Sequence, residues 1–80
     1  MRFPRDLDGS TLVRALGRLG YVQTRQSGSH VRLTRTSAEG EHHLTVPLHR
    51  PLRVGTLHAI LSDVAGQLGV SRDEVLRRLA

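Results

Sequence analysis

Two short segments of the chain alternate regularly between apolar and polar residues. Every second residue is apolar in residues 30–35, and the same holds for residues 43–48. A period of two is typical of strands that bury one face and leave the other in water. A third strand-like segment, residues 21–26, is joined to the first by a Ser27-Gly28-Ser29 turn. The sequence therefore predicts a three-stranded antiparallel meander.

Apolar residues at helical spacing predict helices on either side of these strands. The first helix is expected over roughly 10–19, and the second over 56–68 with Gly69 as its stop. Ser71 and Glu74 have the spacing of a capping box at the start of a short last helix. The predicted order is α-β-β-β-α-α, an α+β fold with the helices on one face of the sheet. The opposite face is open to water, as antiparallel sheets allow.

The open face of the predicted sheet is polar and basic. The chain has 12 basic residues, all of them Arg, against 7 acidic ones, and its formal net charge is +5. Such a field attracts polyanions, either nucleic acid or an acidic protein partner. The predicted register gives the open face these side chains and no hydrophobic one: Gln23, Arg25, His30, Arg32, Thr34, His43 and Thr45.

Length and composition exclude several classes of protein. Eighty residues are expected to form a single domain, residues 1–80. Without cysteine the chain has no disulfide, no thiol nucleophile and no Cys-ligated zinc, which fits a reducing cytoplasm. Its longest apolar run, residues 59–61, is far below the ~20 residues of a membrane span. Residues 1–6 lack the apolar stretch of a signal peptide, so we expect a cytoplasmic location.

The motifs of nucleotide and metal chemistry are missing. The glycines do not have phosphate-loop spacing, and His42 and His43, adjacent on a strand, point to opposite faces. We therefore expect no metal and no cofactor. A base-stacking platform is disfavoured because Phe3 and Tyr21 are the only aromatic residues besides histidine. His42, His43 and His58 are expected to be solvated or helix-surface residues without a functional role.

His30 stands at a position suited to phosphodiester chemistry. It is the first residue of a predicted strand, directly after a flexible turn in which Gly28 is expected to have a positive φ. The amides of Gly28 and Ser29 could bind a phosphate oxygen, and Arg25 and Arg32 flank the turn. The arrangement is suited to phosphodiester cleavage, with His30 as the candidate catalytic residue and the other four as candidate phosphate-binding residues. The residues alone leave open the alternative of a solvated surface histidine.

Five motifs, taken in order, resemble the HicA family of toxin–antitoxin ribonucleases over nearly the whole chain. The motifs are Pro4-Arg5-Asp6, Leu19-Gly20-Tyr21, Gln26-Ser27-Gly28-Ser29-His30, Val46-Pro47-Leu48-His49 and Gly55-Thr56-Leu57. The resemblance implies a fold like that of double-stranded-RNA-binding domains, α-β-β-β-α, here with a short extra C-terminal helix. It also implies metal-independent cleavage of mRNA with His30 as catalytic residue, and a HicB-type antitoxin that covers this site.

A mechanism and two alternative functions accompany the resemblance. His30 is the expected general base, and His49, after the third strand, is the candidate acid. The first alternative is a non-catalytic double-stranded-RNA-binding module, although the chain lacks the lysines with which such a domain begins its last helix. The second is a protein-interaction domain whose Arg-rich face binds an acidic partner.

Overall fold

The computed structural model describes residues 6–80 and confirms the predicted order of elements. The strands form one antiparallel sheet in the order β1-β2-β3, so β2 is central. The fold is therefore α+β, as predicted. The motif residues Pro4 and Arg5, and residues 1–5 of the segment 1–6 that carries the expectation about export, lie outside the described residues. The elements are α1 (Gly9–Gly17), β1 (Val22–Ser27), β2 (His30–Ser37), β3 (Gly40–Pro47), α2 (Val54–Leu68) and α3 (Arg72–Leu79).

The predicted faces of β2 and β3 are confirmed. Val31 pairs with Val46 and Leu33 with Leu44, and all four side chains are buried, whereas Arg32 is exposed. This buried face of the sheet packs against the helices. Burial contributes roughly 1.5–3 kcal/mol per large aliphatic side chain, so this cluster dominates stability. Its helical members include Leu12, Leu16, Leu57, Ile60, Leu61, Val64, Val75 and Leu76, while Leu19 is only partly buried against it.

The helix ends follow the predicted stop and start signals. Gly69 ends α2 in the left-handed region, with φ 69°. The Ser71 hydroxyl accepts a hydrogen bond from the Glu74 amide at 3.1 Å and caps α3. The Glu74 carboxylate binds Arg77 and Arg78, and the hydrogen bond from Arg78 holds the pKa of that carboxyl below its usual value. Within residues 6–80, no helix is long and apolar enough to cross a membrane.

Strand β1 contains a β-bulge that the sequence did not reveal. Arg25 pairs with Arg32, but Gln23 pairs with Leu33, so Thr24 is an extra residue between two consecutive pairs. A bulge of this kind leaves two neighbouring residues facing the same side of the sheet. Beyond the bulge, the pairing is shifted by one residue relative to a regular strand.

The bulge corrects the predicted composition of the open face. Val22 pairs with Thr34 and lies on this face with 63% of its surface exposed, whereas Gln23 lies on the side of Leu33. The prediction that Gln23 belongs to the open face, and that this face has no hydrophobic residue, is wrong. All six residues of β1 are exposed, so no apolar side chain fixes the register of this strand from its own sequence. The open face carries Val22, Thr24, Arg25, Ser27, His30, Arg32, Thr34, Thr36, Glu41, His43, Thr45 and Pro47.

Tyr21, just before β1, connects the sheet to α2 through a histidine. Its hydroxyl lies 2.8 Å from Nδ1 of His42, and Nε2 of His42 lies 3.1 Å from a carboxylate oxygen of Asp63. Because a carboxylate only accepts, Nε2 donates to Asp63, and Nδ1 of the neutral ring accepts from Tyr21. His42 is therefore a half-buried link between β3 and α2, and the prediction that it is merely solvated is wrong.

Burial gives Tyr21 a titration that can be measured directly. Tyr21 is 3% exposed, and burial raises the pKa of its phenol above the usual 10.0; Arg35 opposes the shift and Asp63 reinforces it. The folded protein holds this proton more tightly than the unfolded chain, so the free energy of unfolding is expected to fall as the pH rises above about 10. Tyr21 is the only tyrosine, so phenolate absorbance reports on it alone.

The control for this titration is Tyr21→Phe, which has no phenol to ionise. Above about pH 10 we expect the unfolding free energy of this variant, measured in urea, to decrease less than that of wild type. A phenolate transition of the folded protein at or below the pH found for the unfolded chain would contradict the prediction.

Candidate functional site

His30 is the first residue of β2 and stands directly after the tip of the β1–β2 hairpin. Ser27 and His30 close the hairpin around Gly28 and Ser29. Gly28 has φ 58°, as predicted, and Ser29 has a negative φ, which is the type II′ pattern that suits the twist of paired strands. The His30 side chain is exposed, and in the described part of the chain its ring nitrogens make no hydrogen bond. Both are open to a substrate.

The tip that carries His30 is held from two sides. The Gln26 side-chain amide donates to the Gly28 carbonyl at 3.1 Å, and the Leu48 amide donates to the Ser29 carbonyl at 2.7 Å. Pro47, the residue before Leu48, pairs with His30 across the sheet. The backbone that carries the His30 imidazole is therefore fixed, so the ring needs little reorganisation to contact a ligand.

The end of β3 is in turn held by α1. The Gly9 amide donates to the His49 carbonyl at 3.0 Å. A Cβ on Gly9 would lie only 2.1 Å from the Pro47 carbonyl oxygen and 2.9 Å from the Leu48 Cα, so only glycine fits this contact. The first turn of α1 thus fixes the strand end beside His30.

Arg25 and Arg32 lie directly opposite each other on the open face. They are a cross-strand pair, and like charges in that position destabilise a sheet. Among the described residues neither guanidinium has an ion-pair partner. Two unpaired guanidinium groups side by side favour a bound anion, and Arg is the side chain best suited to phosphate.

A second polar group on this face involves a histidine. The Nδ1 atom of His43 lies 2.9 Å from the Thr34 hydroxyl, which lies 3.0 Å from the Thr24 hydroxyl. The Thr24 hydroxyl donates to the Arg32 carbonyl across a long 3.5 Å. His43 is exposed, as predicted, and it also takes part in a side-chain network that the sequence did not predict. His58, on α2, also has a partner, Arg72 at 3.1 Å.

These side chains surround a shallow cavity of about 260 Å³ on the open face. Its lining is entirely polar: Thr24, Arg25, Arg32, Thr34, Glu41 and His43. A larger cavity of about 510 Å³ lies on the other side of the molecule between α1, α2 and α3, with a mainly aliphatic floor and Arg14 and Arg18 at its edge. Size does not decide between them, because the smaller cavity has the groups able to bind an anion and shares a face with His30.

The structure places the five predicted site residues in one region of the molecule. His30, Arg25 and Arg32 lie on one face, with Gly28 and Ser29 at the adjoining tip. Thr24 and the role of His43 were missed because a bulge and a cross-strand side-chain bond leave no mark on a strand's apolar pattern. Within residues 6–80, no group of three or more His, Cys, Asp or Glu side chains is placed to hold a metal ion.

Comparison with protein families gives one match. The model of the family described as "HicA toxin of bacterial toxin-antitoxin" matches residues 9–67, which is most of the chain. The match begins at the first residue of α1 and ends in the last turn of α2, so it includes the hairpin and the whole open face. Comparison with curated proteins and with solved structures found no match.

Proposed function

Because the chain belongs to the family of HicA toxins of bacterial toxin–antitoxin systems, we propose that it is a metal-independent endoribonuclease that cleaves mRNA with His30 as its catalytic residue. The observation that carries the proposal is the exposed His30 imidazole on the same face as the opposed guanidinium groups of Arg25 and Arg32. A base beside concentrated positive charge is what cleavage of RNA by its own 2′-hydroxyl requires.

The reaction follows from these positions. The His30 imidazole takes the proton of a ribose 2′-hydroxyl, and the 2′-oxygen attacks the adjacent phosphorus. The bond from phosphorus to the 5′-oxygen breaks, which leaves a 2′,3′-cyclic phosphate on one product and a 5′-hydroxyl on the other. The amides of Gly28 and Ser29, together with Arg25 or Arg32, stabilise the charge that develops on the phosphate oxygens.

The leaving 5′-oxygen must gain a proton, and His49 is the candidate donor. It lies two residues beyond Pro47, the partner of His30 in the sheet. Its side chain is exposed, and its carbonyl is fixed by the Gly9 amide. An imidazole near neutral pH serves as acid or base, so a pair of histidines supplies both steps.

Membership of a toxin–antitoxin family implies a cognate antitoxin. We propose a HicB-type antitoxin that binds in the cytoplasm and covers the open face. Arg25 and Arg32 favour an acidic contact surface on that partner, because charge complementarity steers association. Occlusion of His30 would then block access of mRNA.

The experiment that tests the proposal is cleavage of RNA by the purified full-length chain in excess chelator. We expect cleavage at the same rate with chelator and with added Mg²⁺, because no step needs a metal. The products are expected to end in 2′,3′-cyclic phosphate and 5′-hydroxyl groups. Activity lost in chelator, or products ending in 5′-phosphate, would show that this mechanism is wrong.

A further inference from the structure

We propose that the cavity lined by Thr24, Thr34 and His43, beside the paired Arg25 and Arg32, binds a second backbone phosphate of the RNA, next to the one cleaved at His30. The proposal rests on the ribonuclease function proposed above and adds to it a binding subsite for a flanking nucleotide. Its basis is a local irregularity of β1, a directed chain of hydrogen bonds and the charge of the cavity.

The irregularity is the bulge at Thr24. In a regular strand Thr24 and Arg25 would face opposite sides of the sheet, whereas here both contribute to the same cavity. Bulges are frequent beside functional sites because they turn a side chain to a new direction. Here the bulge adds a hydroxyl donor beside a guanidinium group, and both groups are suited to phosphate oxygens.

The hydrogen bonds of the cavity run in one direction. Each hydroxyl has a single proton, and the Thr24 proton is donated to the Arg32 carbonyl. The proton between Thr24 and Thr34 must then come from Thr34, and the proton between Thr34 and His43 must come from Nδ1 of His43. All three bonds can be made together only in this order.

The last of these three hydrogen bonds is the weakest. The last donor, the Thr24 hydroxyl, reaches the Arg32 carbonyl across 3.5 Å, well beyond the 2.7–2.8 Å of a good O–H···O bond. A phosphate oxygen held in the cavity offers that proton a stronger acceptor. Hydrogen bonds in a chain strengthen one another, so the contribution of His43 is transmitted to the ligand through two hydroxyls.

The charge of the cavity favours an anion. Arg25 and Arg32 contribute two fixed positive charges, against the single carboxylate of Glu41. That carboxylate lies 3.7 Å from Nε2 of His43. No Phe, Tyr or Trp side chain lines the cavity, and its largest groups are the charged guanidinium groups of Arg25 and Arg32. Phosphate therefore fits the lining better than a nucleobase does.

The position of the cavity matches a strand of RNA that runs along β2. His30, Arg32 and Thr34 are alternate residues of β2 and lie on one face. At ~3.4 Å per residue, the Cα atom of Arg32 lies about 7 Å and that of Thr34 about 14 Å from the Cα atom of His30. An RNA strand that presents one phosphate to His30 thus brings a neighbouring phosphate to the cavity. The RNA then contacts the protein chiefly through its backbone, with little dependence on base identity.

The test is binding of a six-nucleotide random-sequence 2′-O-methyl oligoribonucleotide, which has no 2′-hydroxyl and so is not cut. For the double variant Thr24→Val, Thr34→Val, we expect the Kd from fluorescence anisotropy to rise about tenfold, because hydrogen bonds to a charged oxygen are lost. KM for cleavable RNA is expected to rise similarly, with a much smaller change in kcat. Thr36→Val is the matched control: it is the same change on the same face of β2, outside the cavity, and it should leave the Kd unchanged.

A second measurement uses the unaltered protein, so it does not depend on how the variant folds. Methylphosphonate linkages, which have no charge, are introduced one at a time on either side of the position that His30 addresses. We expect one flanking linkage to weaken binding about tenfold in wild type and to have little further effect in the double variant. Glu41→Gln, which removes the one carboxylate of the cavity, should tighten binding several-fold.

Two outcomes would overturn the subsite. An unchanged Kd in the folded double variant, together with no sensitive flanking linkage, means that no phosphate binds there. A double variant that loses affinity for the purified antitoxin but not for the oligonucleotide means that the cavity holds a carboxylate of the partner. Neither outcome contradicts the ribonuclease proposal, which is tested separately by cleavage in chelator and by the His30→Ala variant.

Discussion

Replacing His30 by alanine is expected to abolish RNA cleavage and the growth arrest that follows expression of the protein. A general base contributes about 10²–10⁴-fold to rate, so the residual activity should lie near the limit of an electrophoretic cleavage assay. His30 is exposed at a hairpin tip and takes no part in the core. The fold should therefore be unchanged, with a shift in unfolding free energy of about 0.5 kcal/mol or less.

RNA binding separates catalysis from capture in this variant. Arg25 and Arg32 remain in place after His30→Ala, so the protein should still bind the 2′-O-methyl oligonucleotide. His58→Ala is the matched control, because it also removes a histidine. His58 lies on α2 and contacts Arg72, away from the open face. Cleavage by His30→Ala at the wild-type rate would refute the assignment of His30 as the base.

Gly9→Ala is expected to destabilise the protein strongly, although it adds only a single methyl group. The new Cβ would meet backbone atoms of Pro47 and Leu48, which cannot rotate away as a side chain can. Moving α1 from the strand end is expected to cost about 3 kcal/mol and to lower the Tm by about 12–24 °C. Cleavage should also fall, because Pro47 is the cross-strand partner of His30.

Gly17→Ala provides the control on the same helix. It lies at the other end of α1, and a Cβ there meets nothing within 4 Å. Alanine also restricts the unfolded chain, so the variant should be more stable by about 0.4–1 kcal/mol. Thermal unfolding by circular dichroism measures both variants. A Gly9→Ala protein as stable as Gly17→Ala would show that the contact between α1 and β3 is not needed.

The sequence predicted those parts of the fold where one face is apolar and the other is not. In β2, Val31 and Leu33 could only be placed in the core, and their position fixed His30 and Arg32 on the opposite side. In β1 no such constraint exists, because neither of its faces is buried. The extra residue at Thr24 and the exposure of Val22 were for that reason beyond prediction.

Contacts between distant side chains were also beyond prediction. Tyr21, His42 and Asp63 come from three separate parts of the chain, and their meeting depends on the packing of α2 against β3. The local pattern showed His42 only as a polar residue on an edge strand. The same holds for His43, whose bond to Thr34 requires the register of β2 and β3 to be known first.

The prediction that residues 1–80 form a single HicA-like domain extends past the family match at both ends. On the C-terminal side, α3 lies beyond residue 67, yet Val75 is fully buried and Leu76 nearly so in the same cluster as α1 and α2. We propose that α3 belongs to the domain. Helix α3 also borders the larger cavity, through Leu76 and Leu79.

Strands β1 and β2 both contribute to the open face, but we expect them to differ strongly in local stability, because every residue of β1 is exposed. Strand β2 has hydrogen-bonded neighbours on both sides and two core side chains, so its amides should exchange with deuterated water only when the whole protein unfolds. Strand β1 contributes nothing to the core and is held at one edge, so it can detach at a small fraction of the global cost. Such a partial opening removes Thr24 and Arg25 from the face and breaks the pairing of Ser27 with His30, so that His30 keeps only its pairing with Pro47. For the proposed ribonuclease, we expect this opening to lower the affinity for RNA, because it removes part of the phosphate-binding surface.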